Sequence, residues 1–424
     1  MNILLISANT ETVFMVPLPL GLNLLAVAAG NAGHGVTLLD LMGHRDYLSL
    51  IRDTIEEIRP GAIALSVRNI DNQNMADPRF FLDPVREIVA FCRHCSEAPI
   101  IVGGAGFSIF PEAVLRYLDA DMGICGEGEV ALVQLLAALE SGEELSRISG
   151  ICLPGRTVQN GCAERAALST LPLPDPTLWQ LPDTPNQDTW IPFQTRRGCP
   201  MRCSYCSTPA LEGTTIRTHP VQAVVECVRR HVACGLNRFY FVDNVFNLPS
   251  AYAHKLCAGL REVGPGISWR CILYPGFIDE ELVRNMAEAG CVEVSLGFES
   301  GNYHILANMK KKFSPQQVQS AAQMLDRHGI RRSGFLLLGG PGETRESVWE
   351  SLAFADSLNL DTLKLTAGIR IYPGTAVARI ACQEGMINPR DDLLMPRFYL
   401  AKGLEEWLPH TVREWMKNRP NCVS

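Results

Sequence analysis

Over the first 140 residues, short apolar runs alternate with segments whose apolar positions recur every three to four residues. The runs Asn2–Ser7, Val36–Leu39, Ala62–Val67, Ile100–Val102 and Met122–Cys125 have the length of buried strands. The periodic segments near 20–32, 46–58, 83–96, 111–118 and 129–140 predict helices. This alternation predicts a doubly wound, Rossmann-like parallel sheet over residues 1–142, with ligands at the carboxyl ends of its strands. Residues 143–190 break the pattern: Pro154, Pro172, Pro174, Pro176, Pro182 and Pro185 predict a linker that opens with a short hairpin. From Ile191 a second alternation starts, with strands expected at 191–196, 238–243, 267–272, 292–298, 333–338 and 362–369. Six β/α units predict a partial TIM-type barrel over 191–380, its chemistry on the loops after the strands. Residues 381–424 read as a short mixed region without a motif. The expected fold class is α/β throughout.

Composition narrows the function classes. With 47% hydrophobic and 20% charged residues, the 424-residue chain has material for more than one core. A net charge of −7 gives no global attraction to nucleic acid or to anionic lipid. No apolar run approaches the length of a membrane span, and no basic leader precedes Ile3–Ile6. Fifteen cysteines in such a chain are expected as reduced thiols and metal ligands, in the cytoplasm.

The chemistry centres on Arg197-Gly198-Cys199-Pro200-Met201-Arg202-Cys203-Ser204-Tyr205-Cys206. Thiolates ligate iron–sulfur clusters, and four irons ordinarily take four such ligands. Cys199, Cys203 and Cys206 therefore leave one iron open to a reactive ligand; the bland alternative is chance crowding of thiols. The C-x3-C-x2-C spacing, with an aromatic before the last cysteine, resembles the radical S-adenosylmethionine (SAM) enzymes. The resemblance implies a [4Fe-4S] cluster on those three cysteines. It also implies that the open iron chelates SAM, which one electron cleaves to a 5′-deoxyadenosyl radical.

Further SAM contacts are implied at the later strand ends: Tyr205 in the loop, Asp243 and Asn244 after the second strand, and Glu299 and Ser300 after the fourth. Gly339, Gly340 and Glu343 follow the fifth strand, and Arg370 and Tyr372 the sixth. Each piece alone has a plain reading, since a glycine after a strand is commonly just a turn. Trp190, Tyr205, Trp269 and Tyr274 are candidates for a substrate cavity, or for core. Cys92 and Cys95 form a C-x-x-C on a helix with no second pair at zinc spacing. Cys291 is expected as buried packing.

The amino-terminal domain resembles the cobalamin-binding domain fused to class B radical SAM enzymes. That resemblance implies cobalamin contacts at Asn9 and Thr10, at Leu20 and Gly21 opening the first helix, and at Ser66, Arg68 and Asn69. Small residues at Gly103, Gly104, Ala105, Gly126 and Gly128, with Glu127 between the last two, are expected to leave room for the corrin and its tail. The D-x-H-x-x-G motif that places a histidine below cobalt is absent, because Leu41 and Met42 follow Asp40 and His44 falls at the wrong offset. Arg68 is the alternative expectation on that lower side, or else the partner of an acid such as Asp71. No G-x-G-x-x-G follows the first strand, which disfavours nicotinamide.

The resemblance implies a cobalamin-dependent methyltransferase that methylates an unactivated carbon. A non-methylating oxidative cyclase or rearrangement enzyme is the alternative, and a non-catalytic cobalamin-binding regulator a third. Expected partners are a small-molecule, tetrapyrrole or peptide substrate and an electron donor such as flavodoxin or ferredoxin.

Overall fold

The computed structural model describes residues 1–11, 18–155, 162–163, 165–181 and 189–423; Pro182 and Pro185 lie outside them. The chain forms two compact units, Met1–Asn72 with Phe80–Pro192, and Gln73–Arg79 with Phe193–Ser424.

The first unit is built on strands β1 (Asn2–Ser7), β2 (Gly35–Asp40), β3 (Ala62–Ser66), β4 (Ile100–Gly103), β5 (Met122–Ile124) and β6 (Ile151–Cys152). Their order is β2-β1-β3-β4-β5-β6, parallel except for β6. Ile3, Leu4, Leu5 and Ile6 are fully buried, as a central parallel strand covered on both faces requires. Helices Leu20–Asn31 and Gly128–Ser141 supply Leu22, Ala26, Leu132 and Leu135 to the core on one face. The strand order reverses between β1 and β3, which places a ligand crevice at their carboxyl ends.

The described part of the proline-rich stretch packs on this unit. Prolines cannot donate ladder hydrogen bonds, and side-chain amides take over. Asn23 pairs with both backbone groups of Asp175 (3.0 and 2.8 Å). Gln180 accepts from Asp40 N at 2.8 Å and donates to Leu38 O at 2.6 Å.

The second main sheet is built on β7 (Ile191–Phe193), β10 (Arg238–Phe241), β11 (Ser268–Leu273), β12 (Cys291–Glu299), β13 (Arg331–Leu338) and β14 (Thr362–Ala367). Between β7 and β10, β8 (Arg196–Arg197) and β9 (Arg217–Thr218) form a small antiparallel ribbon. Trp269, Cys271 and Leu273 of β11 are buried, while the alternate positions are half-buried. On β13 and β14 the alternate set includes Phe335, Leu337, Lys364 and Thr366, which line an inner cavity.

Residues beyond 380 add one edge strand to this sheet and one strand to a separate two-stranded ribbon. After β15 (Ile369–Arg370), β16 (Phe398–Tyr399) pairs antiparallel with it, and β17 (Cys422–Val423) pairs parallel with β14. Two-residue strands carry no periodicity, so sequence shows no motif there. Among the described residues no helix is long and apolar enough to cross a membrane.

Candidate functional site

A cavity of about 390 Å³ opens at the carboxyl ends of the barrel strands, and Cys199, Cys203 and Cys206 all line it. The loop that carries them is held at its root by Glu212, which sequence reasoning missed. One carboxylate oxygen accepts from Gly198 N at 2.9 Å and from the Asn244 amide; the other accepts from Gln194 Nε2 at 2.9 Å. Burial pushes the Glu212 carboxyl up, against the hydrogen bond from Gly198 and the Arg197 charge. Gly198 has φ +98°, and a Cβ there would overlap the carbonyl oxygen of Thr215, so only glycine starts this loop.

Asp243 does not face the cavity. It is fully buried and accepts from Thr195 N (2.6 Å), Thr195 Oγ1 (2.6 Å), Arg196 N (3.1 Å) and Arg196 Nε (3.0 Å). Arg196 in turn donates to the carbonyls of Phe246 and Leu248. This buried ion pair fastens the strand preceding the cysteine loop to the end of β10. Asn244, the next residue, does line the cavity.

Glu299 reaches the cavity through a bulge in the β12–β13 register, in left-handed backbone with φ +61°. Its Oε1 accepts from Tyr205 OH at 2.9 Å and from Lys311 Nζ at 3.1 Å. Lys311 also donates to Gly297 O at 3.2 Å. Burial alone would push the Lys311 ammonium down; the Glu299 carboxylate and Tyr205 beside it win and hold it charged. Nothing in the sequence reading singled out Lys311 from its neighbours Lys310 and Lys312.

Of the remaining SAM candidates, Arg370 and Tyr372 line the cavity. Arg370 spends its donors on the carbonyls of Ile371 (2.6 Å), Leu393 (2.8 Å) and Leu394 (3.3 Å). Ser300 is fully buried and pairs with Ser351 Oγ at 2.8 Å. Gly339 and Gly340 donate their backbone N–H groups to Glu343, whose carboxyl burial pushes up to about 7. None of Ser300, Gly339, Gly340 and Glu343 is among the cavity-lining residues; they shape the turns behind it. Of the four aromatic candidates, Tyr205 and Tyr274 line the cavity. Trp269 is core, its indole donating to Ala289 O at 2.7 Å, and Trp190 is buried in the first unit. Cys92 is buried, with its thiol pushed up to about 12 by desolvation, and Cys291 is buried as expected. Gln73, Lys364 and Thr366 line the cavity without having been read from sequence.

In the first unit a smaller pocket occupies the crevice after β1 and β3, lined by Asn9, Thr10, Ser66, Arg68 and Asn69 with Phe81 and Val85. Among the described residues no histidine lines it. Gly103, Gly104, Ala105, Gly126, Glu127, Gly128, Leu20 and Gly21 are not among its lining residues. Gly104, at φ +98°, is glycine because a Cβ would come within 2.6 Å of Val67 O. A Cβ on Gly126 would meet Ala163 N at 3.1 Å, and one on Gly128 the Leu25 side chain at 3.0 Å. These three glycines admit protein atoms of their own unit, rather than leaving open room for a ligand, whereas a Cβ on Gly21 would meet nothing within 4 Å.

The profile of the Radical SAM superfamily matches residues 194–355, and that of the B12 binding domain matches residues 6–136. The chain therefore carries a radical SAM domain and a B12-binding domain. The chain is 29% identical over 294 residues to an uncharacterized methyltransferase of Pyrococcus horikoshii, covering 68% of the chain but only 64% of that relative. It is 24% identical to the tryptophan 2-C-methyltransferase of Streptomyces laurentii, over 86% of the chain and 72% of that enzyme. Its fold is that of the methyltransferase TsrM from Kitasatospora setae in the structure with tryptophan substrate and a SAM analog. There the TM-score is 0.83 at 22% identity, covering 99% of this chain and 90% of that one. The cobalamin-dependent radical enzyme OxsB aligns with TM-score 0.76 at 17% identity, over 98% of this chain and 66% of that one.

The residues of the radical SAM domain fit a multi-iron cluster. Three thiols line one cavity, yet among the described residues no three His, Cys, Asp or Glu side chains gather to hold a single ion. In a cluster each sulfur takes its own iron. Burial pushes the Cys203 thiol up to about 11, so bound metal has to supply what stabilises the thiolates. For cobalamin, the pocket at the β1–β3 crevice stands where doubly wound sheets take ligands, and Arg68 is among its lining residues.

Proposed function

We propose that the protein is a cobalamin-dependent methyltransferase acting on a carbon of a small molecule that carries an anionic group. The observation that carries this reading is the cavity in which the three cysteines share one space with an apolar wall and a lysine. When bound, the cluster with SAM supplies the radical that removes hydrogen from carbon, and cobalamin carries the methyl group. The chain's residues bind, orient and exclude water. Lys311 and Glu299 form a charged pair suited to the carboxylate and amino group of SAM, with Tyr205 holding Glu299 in place. Asn244, oriented by Glu212 and by Thr208 Oγ1 at 3.3 Å, offers a further polar contact.

Ile272, Tyr274, Phe335 and Leu337 give the substrate an apolar berth, and Lys364 places a cation among them. Tryptophan and the cytidylyl-2-hydroxyethylphosphonate of a Streptomyces wedmorensis methyltransferase, 23% identical, both bear anions that such a cation would hold. A cavity of about 390 Å³ shared with SAM favours a small molecule over a tetrapyrrole or peptide. The electron enters from a flavodoxin- or ferredoxin-type donor in the cytoplasm. Exposed Arg202, Lys310, Lys312 and Arg379 surround the cysteine loop, where Ser204 N donates to Met309 O and Val377 N to Ser204 O, both at 3.0 Å. On a chain of net charge −7 this basic rim suits an acidic partner.

The reading is tested by anaerobic reconstitution with iron, sulfide and cobalamin, then incubation with trideuteromethyl SAM, a reductant and L-tryptophan or the cytidylyl phosphonate. A product gaining one labelled methyl group is expected. Oxidised or rearranged product without label overturns it. Replacing Lys364 with methionine is expected to raise KM at least about tenfold through loss of a charged hydrogen bond, with Lys364→Arg intermediate.

A further inference from the structure

The first unit holds a cysteine group that neither site uses. Cys125 follows β5, and Cys162 and Ala163 lie against the turn that it opens. Both are free thiols, and their sulfurs lie 2.7 Å apart. The backbone fixes the approach. Ala163 N donates to Cys125 O at 2.7 Å, and Cys125 N donates to Gly150 O at 2.8 Å. Gly126 completes the seat, since a Cβ there would stand 3.2 Å from the Cys162 Cβ. Cys125 is buried and Cys162 half-buried, so one sulfur of the pair is within reach of solvent.

We propose that Cys125 and Cys162 are a redox-active thiol pair that closes to a disulfide, tying residues 162–163 to the turn at the end of β5. The direction of attack follows from their surroundings. The hydrogen bond from Cys125 pulls the Cys162 thiol down, with help from the Arg165 charge, while the same bond and burial push Cys125 up. Cys162 is therefore the thiolate that meets an oxidant and Cys125 the resolving thiol. With a low-molecular-weight disulfide as oxidant, Cys162 Sγ attacks one sulfur, the S–S bond breaks, and one thiol leaves. Cys125 then gives up its proton and displaces the second thiol from Cys162. Two protein thiols are oxidised by two electrons, and one disulfide is reduced to two thiols. Cys152 stays out: it is 1% exposed, and burial pushes its thiol up to about 12.

The consequence lies in the turn Cys125-Gly126-Glu127-Gly128, which opens helix Gly128–Ser141. A closed pair holds this turn and residues 162–163 together as one piece. The pair does not depend on the proposed methyl transfer, so it stands or falls alone.

The test uses the full-length, cluster-loaded protein titrated with oxidised glutathione, quenched with N-ethylmaleimide and mapped by peptide mass spectrometry. A peptide joining Cys125 to Cys162 is expected to dominate, and to survive in Cys152→Ser. In Cys125→Ser, Cys162 is expected to stop at the glutathione adduct, which shows the attacking role even if that variant is less stable. The proposal is overturned if wild-type Cys162 is recovered alkylated, remains glutathionylated, or is joined to Cys152.

Discussion

Lys310, Lys311 and Lys312 are chemically identical in sequence, yet only the middle one turns inward, where it meets Glu299 at 3.1 Å. A run of three lysines reads as a solvated face. Which one is buried depends on a bulge in β12 that re-aims Glu299, and no local pattern announces it. Breaking a buried pair from one side leaves an uncompensated charge. Lys311→Met should therefore destabilise by about 3 kcal/mol, and Lys311→Met with Glu299→Gln by less, in chemical denaturation. Additivity of the two single changes would contradict the pairing. Glu343 makes a second claim at this scale. Its folded pKa of about 7 lies above its ordinary value, so the unfolded chain loses the proton first and stability falls as pH rises from about 4.5 to 7. Glu343→Gln keeps an acceptor for Gly339 and Gly340, and unfolding midpoints measured across that window should lose this slope.

The long elements were legible because buried strands and amphipathic helices leave a period in the chain. All five predicted strands of the first sheet, and all six of the barrel, lie within a few residues of the observed ones, although two of the barrel runs each split into a strand and a two-residue piece. What escaped were elements too short to have a period, such as β16 and β17, and the stretch 165–181, where amides of Asn23 and Gln180 do the work of a ladder. The site was half legible for a similar reason. Cysteine spacing is local, so the triplet could be read; Asp243, Ser300 and Glu343 sit at strand ends as the family resemblance implies, but burial turns them into braces. Two glycines test this scale. Gly198→Ala should abolish iron incorporation, because neither its backbone nor the Thr215 carbonyl leaves room. Gly30→Ala, in a helix with nothing within 4 Å, should raise stability by about 0.5–1 kcal/mol in the same preparation. Normal iron content in Gly198→Ala would show that the loop can form another way.

At the scale of the molecule, a B12-binding unit and a radical SAM unit are joined in one chain, and the basic rim lies on the latter. Electrostatic steering predicts that Lys310→Glu, Lys312→Glu and Arg379→Glu together slow cluster reduction by reduced flavodoxin at least about tenfold, in stopped flow at low salt. Reduction by titanium(III) citrate should be unchanged, and equal slowing with both would place the effect in the cluster and not in docking. The central claim, methyl transfer that depends on both cofactors, does not need the substrate to be known. It is tested most directly by quantifying S-adenosylhomocysteine and 5′-deoxyadenosine from SAM, with and without cobalamin, in wild type and Cys203→Ala. Cobalamin-dependent S-adenosylhomocysteine is expected from wild type, and no 5′-deoxyadenosine from Cys203→Ala. Wild-type protein that yields 5′-deoxyadenosine but no S-adenosylhomocysteine when cobalamin is present would contradict it.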